Sequence, residues 1–158
     1  MKRVLTVFIL VVVVVVAALI LVKQDNFREE FVGIKVFFNN NNLDPEFSCD
    51  KVFPAERNVL KTSEPERTAI SELLSGPTQS DAAQGFFTSI NSGVKINKLS
   101  VIRGVAMVDF DERLEFPGGG SCRVAAISAQ IRETLKQFPQ VKEVIISINN
   151  RTEDILQP

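Results

Sequence analysis

Asp109 and Asp111 stand two residues apart where a strand-like run ends, so their carboxylates share one face and form a candidate oxygen site for a divalent cation. Glu112 and Glu115 would extend that set. The competing reading is a solvated strand end partly neutralised by Arg113, and we favour it because nothing in the sequence fixes a coordination geometry. Gly118, Gly119, Gly120 and Ser121 precede a helical pattern, where free N–H groups attract anions. The run lacks the Lys-Ser/Thr ending of a phosphate loop, so a glycine turn with Ser121 as helix cap explains it more simply. Arg57 is a candidate for carboxylate recognition, against the ordinary case of a salt-bridged arginine.

Acid–base chemistry is narrowed by one fact: the chain of 158 residues contains no histidine, and also no tryptophan or tyrosine. Ser121 therefore has no histidine base to make it a nucleophile. An enzyme using carboxylates alone remains open, because glycosidases need only two. A wall-fragment or small-ligand binder or hydrolase using Asp109, Asp111 and the Gly118–Ser121 loop is accordingly the alternative function. No cofactor, catalytic residue or metal site is expected. Cys49 and Cys122 are the only cysteines. An even count in an exported domain favours a disulfide over two buried free thiols.

Export is argued from the first residues. From Val4 to Val22 every residue but Thr6 is apolar, a run that as helix would span roughly 28 Å, near the thickness of a bilayer core. Lys2 and Arg3 precede it and mixed charges follow, which orients the N-terminus inward and the rest outward. A cleaved signal peptide would have a shorter apolar core and a small-residue cleavage site. No cysteine lies near the end of the run to carry a lipid. Residues 1–22 are thus expected to be an uncleaved anchor in the cytoplasmic membrane, 23–31 a linker, and 32–158 one extracytoplasmic domain. Lys2 and Arg3 account for two of the 18 basic residues, leaving 16 against 19 acidic, a net charge of −3 beyond the anchor. With no basic stripe, nucleic acid is not an expected partner.

The elements that position these residues follow from periodicity. Val32 to Phe38 reads as a strand, with Asn39 to Asn42 as a plain loop before Asp44. Lys51 to Leu60 reads as an edge strand bent at Pro54. Ser63 and Glu66 have capping-box spacing before a helix whose apolar face is Ala69, Ile70, Leu73 and Leu74, stopped by Gly76-Pro77. A short turn over Ser80 to Gln84 and extended Phe86-Phe87 follow. Lys95 to Ile102 and Val105 to Phe110 form a hairpin about Arg103-Gly104. Val124, Ile127, Ile131, Leu135 and Phe138 mark a helix ended by Pro139, and Lys142 to Ile148 a final strand, expected at the sheet centre. The fold class is α+β: a small mixed or antiparallel sheet with two main helices on one face, preceded by one transmembrane helix. Asn150-Arg151-Thr152 matches a glycosylation sequon, to which we attach no weight.

The order IKVFF, Cys49 and Arg57 in CDKVFPAER, LLSGPT, GFFTSI, VDF, GGGSC and QIRETLKQFPQVKEVIISIN resembles the GerMN domain, named for a spore-germination and sporulation family. The resemblance covers almost all of residues 32–156. It implies a compact module like the ring-building motifs of secretion systems, carried on anchored extracytoplasmic proteins, and it transfers no catalytic residues. The expected function is therefore a membrane-anchored interaction or assembly module, without catalysis, that joins a homo-oligomer or an envelope complex.

Overall fold

The computed structural model describes residues 6–16, 29–116 and 119–156. The chain divides into two units, Met1–Phe31 and Val32–Pro158. In the first, residues 6–16 form a helix, α1, whose apolar side chains from Val7 to Val16 are exposed. Among the described residues no helix is long and apolar enough to cross a membrane. The expected span of residues 4–22 extends at both ends into residues outside those described, as does most of the linker. Phe31, expected in the linker, already begins a strand.

The second unit runs β1 (Phe31–Asn40), β2 (Phe53–Leu60), α2 (Pro65–Ser75), α3 (Gln79–Ala83), β3 (Phe86–Phe87), β4 (Ile96–Ile102), β5 (Val105–Phe110), a short 3-10 turn, α4 (Ser121–Lys136) and β6 (Glu143–Ile148). The α+β class holds, but the single sheet is corrected to two three-stranded sheets, ordered β2-β1-β3 and β4-β5-β6. In the second sheet β4 pairs antiparallel and β6 parallel with β5, so β5 is central and β6 lies at the edge.

The separation of the sheets has a local cause. β3 pairs with β1 only at Asn39 and Asn40. Further back along β1, side chains of α4 take the place of a strand. The Lys35 N–H donates to Gln137 Oε1 at 2.8 Å while Gln137 Nε2 donates to the Lys35 carbonyl, and the Phe37 N–H donates to Thr134 Oγ1 at 3.0 Å. Gln130 Nε2 completes the series by donating to Asn39 Oδ1 at 2.7 Å. Positions 130, 134 and 137 lie on one face of a helix, and 35, 37 and 39 on one edge of a strand, so the two periods match.

Beneath this polar seam, Ile127, Ile131 and Leu135 of α4 join Phe38, Ile70, Leu73, Val108 and Phe110 in one core. α4 packs on α2 and β6, and α2 on β4. Helix starts depart from expectation. Glu64, not Ser63, precedes α2 and makes no side-chain cap; Pro65 opens the helix, and Thr62 Oγ1 accepts from the Glu64 N–H. The capping box forms instead at Thr78 and Asp81, opening α3. Gly120 caps α4, and Ser121 is its first helical residue.

Candidate functional site

Asp109 is the most heavily engaged of the expected site residues. In β5 it sits opposite Lys98 of β4 and Ser147 of β6. Oδ1 accepts from Ser147 Oγ and from the Asn150 N–H, both at 2.7 Å, and Oδ2 accepts from Asn97 Nδ2 at 3.0 Å. The Asn150 N–H reaches back because Asn149 and Asn150 both adopt positive φ after β6. Burial pushes the Asp109 carboxyl up, but the bonds from Ser147, Asn150 and Asn97 and the Lys98 charge outweigh it and hold it below its ordinary value. Asp109 is thus an anion that ties three strand ends together.

Asp111 is directed elsewhere, accepting from the Lys95 N–H at 3.1 Å with Arg113 Nε at 3.8 Å. Glu112 accepts from Asn149 Nδ2 and Glu115 pairs with Arg151 at 2.6 Å. Among the described residues no three acidic or cysteine side chains converge to hold a metal. A shallow depression of about 180 Å³ lies over Asp109, bordered by Lys98, Met107 and Ile145.

Cys49 and Cys122 form a disulfide, with Cα atoms 5.0 Å apart across 73 residues of sequence. It fastens the loop after β1 to the first turn of α4. That loop is braced again from the asparagine run, which is no plain loop: Asn39 and Asn40 are the buried last residues of β1. Asn39 Nδ2 donates to the Cys49 and Lys51 carbonyls, both at 3.0 Å. Asn40 Oδ1 accepts from the Asn42 and Leu43 N–H groups, forming an Asx turn. Gly85 lies against this turn at φ +89°, and a Cβ there would fall 2.7 Å from Asn42 Nδ2. Asp44 caps the loop by accepting from the Ser48 N–H at 2.7 Å.

Arg57 on β2 is half a closed ion pair. Its Nη2 lies 2.5 Å from Asp81 Oδ2, and its guanidinium sits 5.9 Å from the Phe38 ring centre. It joins β2 to α3 and does not present a free cation to a ligand. Gly118 lies outside the described residues. Gly119 is packed by the Arg123 side chain, Gly120 is open, and Ser121 makes no capping bond. Arg57, Asp109 and the α4 start thus serve three separate junctions.

The sequence matches the Germane family, described as sporulation and spore germination, over residues 35–154. The chain belongs to the Germane family. No curated protein matches it. Its fold is similar to the tandem GerMN domains of the sporulation protein GerM from Bacillus subtilis, with a TM-score of 0.62 and 15% identity over 81% of this chain and 43% of that one. It is also similar to the first GerMN domain of the same protein, with a TM-score of 0.57 and 18% identity over 77% and 85% of the two chains. The chain therefore spans less than half of the tandem structure.

The Germane match begins at Lys35, the residue whose backbone α4 grips. Sequence reasoning missed Gln130, Thr134 and Gln137, treating that helix face as apolar core. Their signal is present nonetheless: Gln130 and Thr134 alternate with Ile127, Ile131 and Leu135 on the buried side of α4. A polar residue recurring every turn within an apolar stripe calls for a buried partner.

Proposed function

We propose that this Germane domain is a non-catalytic interaction module. The apolar segment 4–22 tethers it to the outer face of a cytoplasmic membrane, where it contributes to an envelope assembly with copies of itself or with other proteins. The observation that carries the proposal is the internal use of the reactive groups. Both thiols are joined, Arg57 is paired with Asp81, and both Asp109 oxygens accept hydrogen bonds within the sheet. What the domain offers outward is surface. The disulfide suits an oxidising compartment, the exposed apolar α1 suits lipid, and membership of a sporulation and germination family suits an assembly role.

The test uses the full chain in its native membrane. Alkaline extraction should leave it in the membrane fraction, and external protease should reach the domain in spheroplasts. Cross-linking should give discrete higher-mass species. A chain released by alkali, or one that stays uncross-linked at every position probed, overturns the proposal.

A further inference from the structure

We infer that the outer face of the β4-β5-β6 sheet is where a second copy of this chain docks, face to face and with the two sheets crossed near a right angle. The inference rests on the interaction-module proposal and names its surface and partner. Leu99, Val108 and Ile146 point into the core, so their neighbours along each strand point out. The registers place Lys98, Asp109 and Ser147 in one row across that outer face, Ser100, Met107 and Ile145 in the next, and Ile102, Val105 and Glu143 in a third. The centre is apolar, with Met107 37% exposed. Lys98 and Glu143, both exposed, occupy diagonally opposite corners.

Charge complementarity selects the occupant and its orientation. A two-fold axis along the other diagonal sets Met107 against Met107 and brings each Lys98 to the second copy's Glu143. An axis along β5 would instead face Lys98 with Ser147, and one across the strands would face it with the apolar third row. The diagonal solution is the orthogonal sheet packing found in other proteins. Asp109 does not oppose it, because its carboxylate is already held by hydrogen bonds from Ser147, Asn150 and Asn97. Three strands about 4.8 Å apart, with three outward residues each, present on the order of 300 Å² per copy. That is well below the roughly 800 Å² per partner of a standard interface, so the contact is weak in free solution. A shared membrane supplies the high local concentration that makes it persist.

The test is performed on the full chain in phospholipid vesicles. Met107→Cys should give a disulfide-linked dimer under mild oxidation, at least tenfold faster than Ser71→Cys on the exposed side of α2. Adding Lys98→Glu or Glu143→Lys should each slow that reaction about tenfold, and the two together should restore it. Met107→Glu, which adds no thiol, should reduce lysine cross-linking between copies, with the native disulfide verified by intact mass. A Met107→Cys rate equal to the Ser71→Cys control, or a charge swap that fails to restore it, overturns the inference. In native membranes, Met107→Cys trapping a different protein would overturn self-docking while leaving the interaction-module proposal standing.

Discussion

The two sheets of the domain solve the same problem in opposite ways. In the β2-β1-β3 sheet the open edge of β1 is closed from within, by Gln130, Thr134 and Gln137 of α4, and its end is held by Asn39, Asn40 and the Cys49–Cys122 bridge. In the β4-β5-β6 sheet one face is sealed by the core, while the other leaves Met107 at the surface between Lys98 and Glu143. Buried amides and hydroxyls demand partners at fixed positions, so they specify register. An open apolar face specifies nothing until something covers it. Among the described residues, in both sheets, no buried side-chain nitrogen or oxygen lacks a hydrogen bond.

The comparison predicts where substitutions hurt. Breaking the disulfide by Cys122→Ser, with Cys49→Ser to avoid a free thiol, should cost the most. The closed loop spans 73 residues, and the chain-entropy relation gives a loss of about 4 kcal/mol. Chemical denaturation of the wild type with and without reductant should show the same fall. An unchanged midpoint would mean the asparagine braces hold the loop unaided. Gln130→Leu should follow, at about 2–3 kcal/mol, because it strands Asn39 Oδ1 at a buried site and removes the acceptor of the Thr88 hydroxyl. If it were neutral, the seam between α4 and β1 would be ornamental, and the contrast between the sheets would collapse.

Local signals carried part of this into the sequence. The β4–β5 hairpin was legible because Arg103 and Gly104 turn through positive φ over two residues, as such connections require. β2 was legible as an edge from Pro54, and α4 from its spacing. What stayed hidden depends on distance along the chain. Asn39 looks like loop material until Gln130, 91 residues later, is placed beside it. β3 has only two residues and exists because Asn39 and Asn40 meet it. Asp109 and Asp111 looked like a pair, yet the bonds that separate their roles come from Ser147 and Lys95 on different strands or loops. Spacing gave the candidate site its members; the partners that engage them were beyond its reach.

Asp109→Asn tests the one junction that the second sheet closes as firmly as the first. It should cost about 2 kcal/mol at neutral pH, the value of hydrogen bonds to a charged acceptor. The pH dependence has a definite sign. The folded carboxyl is held below its ordinary value of 3.8, so the unfolded chain takes up the proton first as pH falls. Its contribution is complete above about pH 5 and disappears as pH drops through the folded value. The mutant should therefore lose less stability than the wild type between pH 5 and pH 2. Asp44 and Asp81, also held low, keep some dependence in both. Equal slopes in urea titrations across that range would remove Asp109 from the list of closing contacts.

The smallest effect on folding is expected at Met107, and that smallness is the informative part. Met107→Ser on a face the domain itself leaves open should lower the unfolding free energy measured in urea by less than about 0.5 kcal/mol, since surface substitutions away from special features fall in that range. It removes apolar area from β5 without opening a cavity, because the core lies on the opposite face with Ala106 and Val108. A loss above about 1.5 kcal/mol would mean that Met107 is covered within a single chain, and the two sheets would then be equally closed. A neutral result, combined with slower cross-linking between copies in vesicles, separates folding from association at one side chain. Gln130 and Met107 then mark the two ends of the comparison: one side chain whose partners lie within its own chain, and one whose partner is a second copy.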